Sequence, residues 1–349
     1  MKKLSEFKSE HSERVEDLKR QIKEREAQLA AYRREHGKLE NFFDEVITNI
    51  QPLSALPGVF KPTERKGTSN VVPVSQATDW HIGEIQQPDE IEGFNEFNYD
   101  IATARVLNFT ERYIDWVTLH RNVYNINDAA LLVTGDLISG DIHDELRVTN
   151  EFPTPVQVVR AAELLSQMIA LVAPHFREFT VHFIVEDNHA RLTKKPQAKE
   201  AAMNSFNYLV GKLTEAYTAD ISNLQFNLYP MLEKVVNVNG MRYLISHGHG
   251  IKGWAGIPFY GIHRKVGKES EARMQLIMDE VERAKTVGFD KYVIGHFHTP
   301  FDSLLYSVGG CLSGTSAYDH QAGRYAPPCQ AAWMVHEKYK EFNRINFRL

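Results

Sequence analysis

Val71-Val-Pro-Val-Ser-Gln-Ala-Thr-Asp-Trp-His81 opens as an apolar, β-branched run and closes on a carboxylate and an imidazole one residue apart. The run reads as a strand, and at an extended strand end residues i and i+2 point the same way, so Asp79 and His81 are placed to share one ion. Alone the pair says little, because a capping Asp beside a surface His is the commoner outcome. Recurrence decides the reading. Residues 129–136 end in Val133-Thr134-Gly135-Asp136, and residues 180–185 run into Glu186-Asp187-Asn188-His189-Ala190-Arg191. Residues 242–247 continue as Ser246-His247-Gly248-His249-Gly250, and residues 291–296 as Gly295-His296-Phe297-His298.

These runs alternate with helical patterns, the signature of a layered α/β domain. Two later runs, residues 304–312 and 331–336, come without crossover helices and predict mixed or antiparallel sheet. Open α/β folds keep their ligand sites at the carboxyl ends of strands. Packing does not require His, Asp or Asn at nearly every such end, whereas a shared metal site does.

Composition agrees with an enzyme-like globular chain: 349 residues, 43% hydrophobic and 24% charged. A formal net charge of −5 argues against a protein that coats nucleic acid electrostatically, while leaving room for a local basic patch. Cys311 and Cys329 are too few for a disulfide framework or a thiolate zinc site, which fits a reducing compartment. No signal core or apolar run of membrane length is read from the sequence, so the expectation is a cytoplasmic setting, bacterial or in a phage-infected host cell, with no membrane partner.

Upstream, Leu4, Val15, Leu18, Ile22, Leu29, Tyr32, Leu39, Phe43 and Val46 follow a heptad seam, weakened by Lys8, His11, Arg25 and His36. A long coiled-coil-like helix is expected over 1–48, able to pair with a second copy as a homodimer or to lie as a single amphipathic helix. The Pro/Gly-rich stretch 49–70 reads as a linker. The catalytic domain is expected over 71–349.

The ordered set D-x-H, G-D, N-H, H-G-H and G-H-x-H resembles the calcineurin-like metallophosphoesterase superfamily, and the strings from Gly135 to His143 and from Asn188 to Pro196 resemble its phage-type branch, often linked to DNA-repair nucleases. The resemblance covers the chain from about Val71 onward. It implies a four-layer α/β/β/α sandwich with two divalent metal ions between facing sheets, Mn favoured and Fe, Zn, Co or Ni compatible. Carried over by motif, Asp79, His81 and His298 would hold the first ion, Asp136 would bridge, and Asn188, His247 and His296 would complete the second. The implied reaction is hydrolysis of a phosphodiester bond by metal-activated hydroxide, with His189 protonating the leaving oxygen.

Two positions depart from the family pattern. Asp187 stands before Asn188 where glycine is usual, a position whose backbone commonly needs glycine's freedom. Ser139 stands where an acidic residue often orients the catalytic His, leaving Asp141, His143 or Asp144 to take that role. Arg191, Lys194 and Lys195 follow His189, and an insertion after His249 carries Trp254 and Arg264 among other basic and aromatic residues. Arg191 is expected to act in catalysis. His249, Lys194, Lys195, Trp254 and Arg264 are expected to contact substrate. Basic and aromatic groups together suit nucleic acid, although a solvated loop with aromatics tucked inward fits them equally. Beside a nucleic-acid phosphodiesterase stand a phosphomonoesterase or small cyclic or linear diesterase, and a catalytically silent scaffold for which Asp187 is the support.

Overall fold

Val71–Ala77 (β1), Asp128–Val133 (β2) and Glu178–Ile184 (β3) are buried along nearly their whole length, which is why they read as continuous apolar runs rather than alternating ones. They come from a computed structural model that describes residues 19–21, 23, 27, 47, 50–62, 68–252, 257–279 and 284–349. The chain divides into two units, Met1–Ile50 and Gln51–Leu349. In the first, the described positions 19–21, 23, 27 and 47 are helical, and every residue of the heptad seam lies outside the described residues.

In the second unit β1, β2, β3 and Leu224–Tyr229 (β4) pair in parallel. Parallel neighbours require crossovers, supplied by the helices Tyr99–His120, Thr154–Val172 and Phe206–Tyr217. Asn98 and Ser205 cap the first and third through their side chains, and Pro155 opens the second. Cys329–His336 (β10) runs antiparallel to β1, with Val71 opposite His336, and pairs outward with Lys340–Arg348 (β11). The sheet order is β11-β10-β1-β2-β3-β4.

A second sheet, in the order β5-β6-β7-β9-β8, comprises Glu233–Val238 (β5), Met241–Ser246 (β6), Lys291–Ile294 (β7), Phe301–Asp302 (β8) and Tyr306–Val308 (β9). Val74, Leu132 and Trp333 of the first sheet share one core with Val236, Tyr243 and Val293 of the second, so the sheets face each other. Trp333 Nε1 donates to the Tyr243 hydroxyl across that core at 2.9 Å. Behind the second sheet, Ile262 and Val266 of the Phe259–Asp279 helix pack on Leu244, Tyr292 and Ile294. The fold is mixed α/β, with two sheets and helices.

The strands absent from the sequence reading are β4, β5, β8 and β11, the four edges of the two sheets. An edge strand buries less of itself, so its sequence carries no apolar run: β11 reads Lys-Glu-Phe-Asn-Arg-Ile-Asn-Phe-Arg and buries only Phe347. The expected run 304–312 shrinks to β9, with Leu304 92% exposed ahead of it. The segment Thr154–His175 also corrects the expectation of no membrane-length run, since it is long and apolar enough to span. Its composition follows from burial, 67% of the apolar window lying inside the fold. Residues 51–62 form no helix or strand; Leu53 N donates to Tyr217 O and Val59 N to Pro174 O.

Candidate metal centre

Each parallel strand that ends at the shared edge of the sheets delivers its polar residues one to five positions beyond its last paired residue: Asp79 and His81 after β1, Asp136 after β2, Asn188 and His189 after β3, His247 and His249 after β6, His296 and His298 after β7. The expectation that i and i+2 project together from an extended strand is corrected in detail. Asp79, His81, Asp136, His296 and His298 all have left-handed backbones, with φ of 53, 49, 48, 70 and 57°. Non-glycine residues avoid this region, and such strain persists only where the surroundings over-determine it, typically at functional sites. The side chains converge because each strand turns sharply as it ends.

Two triads of donor atoms result, Asp79 with His81 and His298, and Asp136 with His247 and His296; a third, His81 with Asp136 and His189, joins them. Within each triad the donor atoms lie within 4.8 Å of one another. Asp79 and Asp136 are 0% and 1% exposed. Asp79 takes a hydrogen bond from Thr78 Oγ1 at 2.6 Å and from His296 N at 3.0 Å. Asp136 Oδ1 accepts from His189 N at 3.1 Å.

Several facing atoms have no hydrogen-bond partner although buried, among them Asn188 Oδ1, His247 Nε2 and His249 Nδ1. His247 Nδ1 donates to Thr134 O at 2.8 Å, which turns Nε2 toward Asp136 Oδ2, 2.8 Å away but out of line for a hydrogen bond. His81 Nε2 and His298 Nε2 face each other at 3.1 Å. Buried donors left without partners beside imidazole nitrogens that face each other fit divalent cations, and mixed imidazole, carboxylate and amide donors suit Mn, Fe, Zn, Co or Ni.

The electrostatics ask for positive charge at the same place. Burial disfavours protonation of His247, yet Asp136, Asp79 and Asp187 together push it up to about 10. Burial likewise opposes charge on His298, but Asp319 and Asp79 raise it to about 9. His81 and His296 are held well below the ordinary imidazole value, by burial first and then by the neighbouring imidazoles.

His189 is oriented differently from the sequence expectation. Its Nδ1 donates to the backbone carbonyl of Ser139 at 2.6 Å, so a peptide oxygen does the work assigned to a carboxylate, and Asp141 is exposed. Its Nε2 thereby faces the cluster, 4.0 Å from Asp136 Oδ2. Gly140 packs so closely beneath that an added Cβ would sit 2.0 Å from His189 O.

Asp187 is likewise corrected. It does not have a left-handed backbone, and its carboxylate is structural: Oδ2 accepts from Asp136 N at 2.9 Å and Oδ1 from Ala190 N at 3.0 Å. Burial, then Asp136, raises it to about 7. Rather than disturbing the turn, it ties the loop bearing Asn188 and His189 to the loop bearing Asp136.

Arg191, expected in catalysis, spends its guanidinium on the carbonyls of Thr193, Asn188 and Lys194 at 2.9, 3.0 and 3.2 Å, bracing its own loop. With Glu186, Gln197, Asn204 and His249 it lines a small open cleft that also reaches Asp187. Lys194 pairs with Asp144 at 2.8 Å in the open, and Lys195 and Arg264 are exposed. Trp254 lies outside the described residues. The sequence reading passed over Asp319, which bonds His298 Nδ1 at 3.1 Å. Its signal was legible as Ser316-Ala-Tyr-Asp319, a capping box at the start of a short helix.

Neither a family model nor a curated protein matches the chain. Solved structures do. Vps29 from Entamoeba histolytica, complexed with Zn²⁺, is 11% identical over 79% of this chain and 100% of its own, with a TM-score of 0.26. A conserved uncharacterized protein of Streptococcus pneumoniae TIGR4, titled a predicted phosphoesterase, is 10% identical over 80% and 98%, also at 0.26. The calcineurin-like phosphoesterase YfkN from Bacillus subtilis is 12% identical over 80% and 90%, at 0.30.

Proposed function

We propose that the chain is a divalent-metal-dependent phosphoester hydrolase of the calcineurin-like metallophosphoesterase type, acting on phosphodiester bonds, with single-stranded nucleic acid as its substrate class. The observation that carries the reading is the convergence of two donor triads, with the buried His247 Nε2 and Asn188 Oδ1 left without hydrogen-bond partners. In this reading Asp79, His81 and His298 hold one ion, Asn188, His247 and His296 the other, and Asp136 both, between the facing sheets of a four-layer α/β/β/α sandwich. When bound, such ions would supply Lewis acidity and a water acidic enough to attack phosphorus near neutral pH.

The chain's own residues account for the rest. Ser139 O holds the Nδ1 proton of His189 and leaves Nε2 facing the cluster. Burial, against the pull of Asp136, lowers His189 from the ordinary imidazole value, so a proton held at that nitrogen is readily given up to the departing oxygen. Asp136 fixes the donor by accepting from His189 N, and Asp187 fixes Asp136. Asp79, His81 and Asp136 are themselves buried, 0%, 1% and 1% exposed, which keeps these interactions strong.

Nucleic acid is favoured by exposed aromatics around the short helix that carries Asp319. Tyr318 and Tyr325, 70% and 52% exposed, flank the turn that carries Asp319, and Phe94, 59% exposed, packs against Tyr325 with ring centroids 5.0 Å apart. Exposed rings beside a phosphate site can stack bases in sequence-tolerant fashion. The test is purified protein with Mn²⁺ against labelled single-stranded oligonucleotides, bis-nitrophenyl phosphate and nitrophenyl phosphate. Shortened oligonucleotides are the expected result. Hydrolysis of the monoester alone would replace the diesterase reading, and no turnover of any substrate with any of the five metals would remove it.

A further inference from the structure

One carboxylate in contact with the cluster has no part in the proposed reaction. Asp319, in the short helix Ala317–Gln321, has a side chain 4% exposed. Its Oδ2 lies 3.1 Å from His298 Nδ1 and 3.0 Å from Ser316 Oγ. Its Oδ1 accepts from Arg324 Nε at 3.0 Å, and Arg324 Nη2 stands 2.9 Å away. The guanidinium in turn lies over the Tyr318 ring, 4.8 Å from its centroid. Both carboxylate oxygens are therefore engaged, and the carboxylate is held from behind.

The other imidazoles of the cluster are oriented more weakly. His247 and His189 each donate Nδ1–H to a neutral backbone carbonyl, Thr134 O and Ser139 O. His81 Nδ1 is buried without a partner. Among these four rings, His298 alone has a carboxylate at Nδ1. A carboxylate behind a ligating imidazole fixes its tautomer and raises the basicity of the opposite nitrogen, a charge-assisted bond being stronger than one to a carbonyl.

We propose that Asp319 is a positioning residue: it takes the Nδ1 proton of His298, aims the Nε2 lone pair at the point shared with Asp79 and His81, and makes that ion the tighter held of the two. This rests on the metal reading above. A purely structural role, capping the helix and pairing Arg324, would leave the two ions unaffected or weaken both together.

The experiment is a Mn²⁺ titration of the full-length protein by calorimetry, wild type against Asp319→Asn and Ser316→Ala, with thermal unfolding of each metal-stripped protein. Asn keeps the size and one acceptor for the cap but removes the charge behind His298. For D319N, one of two affinities should fall ~10–100-fold while the other stays within about twofold. S316A, which loses a capping contact but keeps the carboxylate on the imidazole, should bind both ions as the wild type does. Equal affinities in D319N and wild type would overturn the assignment, as would a loss shared by both ions or reproduced by S316A. Should stripped D319N fail to fold, Arg324→Gln, which frees the carboxylate from its anchor, must still weaken that one ion alone or the assignment falls. A wild-type protein that binds no Mn²⁺, Zn²⁺ or Fe²⁺ would instead remove the metal centre itself.

Discussion

His81 Nε2 and His298 Nε2 stand 3.1 Å apart with their rings nearly edge to face, centroids separated by 4.9 Å. His298 donates its Nδ1 proton to Asp319, so a cation that displaces the Nε2 proton meets a lone pair already aimed at it. A cation is the partner that both nitrogens can share. Removing metal with a chelator should therefore abolish hydrolysis, and adding Mn²⁺ back should restore it. Binding that favours the folded chain should also raise stability by ~2.7 kcal/mol at 100 times Kd. Melting temperature against Mn²⁺ concentration reads this directly, and a flat curve would count against the centre.

His189→Ala should lower kcat on an oligonucleotide by ~10²–10⁴, the usual contribution of a positioned proton donor. Metal affinity should stay near wild type, because the alternative donors Asn188, His247 and His296 remain. A nitrophenyl leaving group needs little protonation, so the loss on bis-nitrophenyl phosphate should be much smaller. Equal losses on both substrates would assign His189 to metal binding instead.

Asp187→Ala leaves two buried donors, Asp136 N and Ala190 N, without acceptors. Stability should drop by ~1–3 kcal/mol in urea unfolding of the metal-free protein, the cost of an unsatisfied buried group. Asp187→Asn, which can still accept from one of them, should fall between. A stable Ala variant would mean that water replaces the carboxylate.

How much of this was legible in the sequence depends on what each residue does. The donors announced themselves because Asp, His and Asn are out of place at the ends of buried strands, and the central strands because they are buried on both faces. The turns that aim those donors did not, since Asp79 and His298 carry no glycine to advertise a left-handed backbone. Asp187 was misjudged for the same reason: the conformation expected there belongs elsewhere, and the residue serves through its carboxylate. Asp319 meets His298 across 21 residues by tertiary folding, a proximity no local pattern encodes. The edge strands β4, β5, β8 and β11 stayed hidden because a half-exposed strand mixes polar and apolar residues.

His182, in the middle of β3 and 8% exposed, is held down to about 4 by burial, against 6.5 for a free imidazole. The unfolded chain then takes up the proton first as pH falls. Stability is complete above about 6.5 and is lost toward 4, at up to ~1.4 kcal/mol per pH unit. His182→Gln should flatten the fall in urea midpoint between pH 7 and pH 5. An unchanged slope would place the acid sensitivity elsewhere.

Lys291 is 4% exposed and its Nζ lies 2.6 Å from Glu341 Oε1 and 2.7 Å from Asp302 Oδ1. Lys291→Met removes the cation nearest the Glu341 carboxylate, itself 9% exposed, and leaves it the Tyr243 hydroxyl at 3.0 Å and Arg344 Nη1 at 3.9 Å, at a cost of up to ~3–5 kcal/mol. The double variant Lys291→Met with Glu341→Gln should recover part of that, because the carboxylate facing the missing ammonium is neutralised while Arg344 and Asp302 keep each other at 3.7 Å. Additive losses in thermal unfolding would show the two residues to be energetically independent.

The five left-handed residues at the strand ends have a consequence for how an ion would arrive. Each such backbone costs on the order of 1–3 kcal/mol, and that cost falls on folding, when the two sheets close on each other and leave the chain no other course. An incoming cation would not have to gather its ligands from a floppy loop; it would shed water into a setting already made. Capture would then be limited by dehydration rather than by rearrangement, and specificity among metals would follow from the rigidity of the cage, since a frame that cannot stretch rejects an ion of the wrong radius.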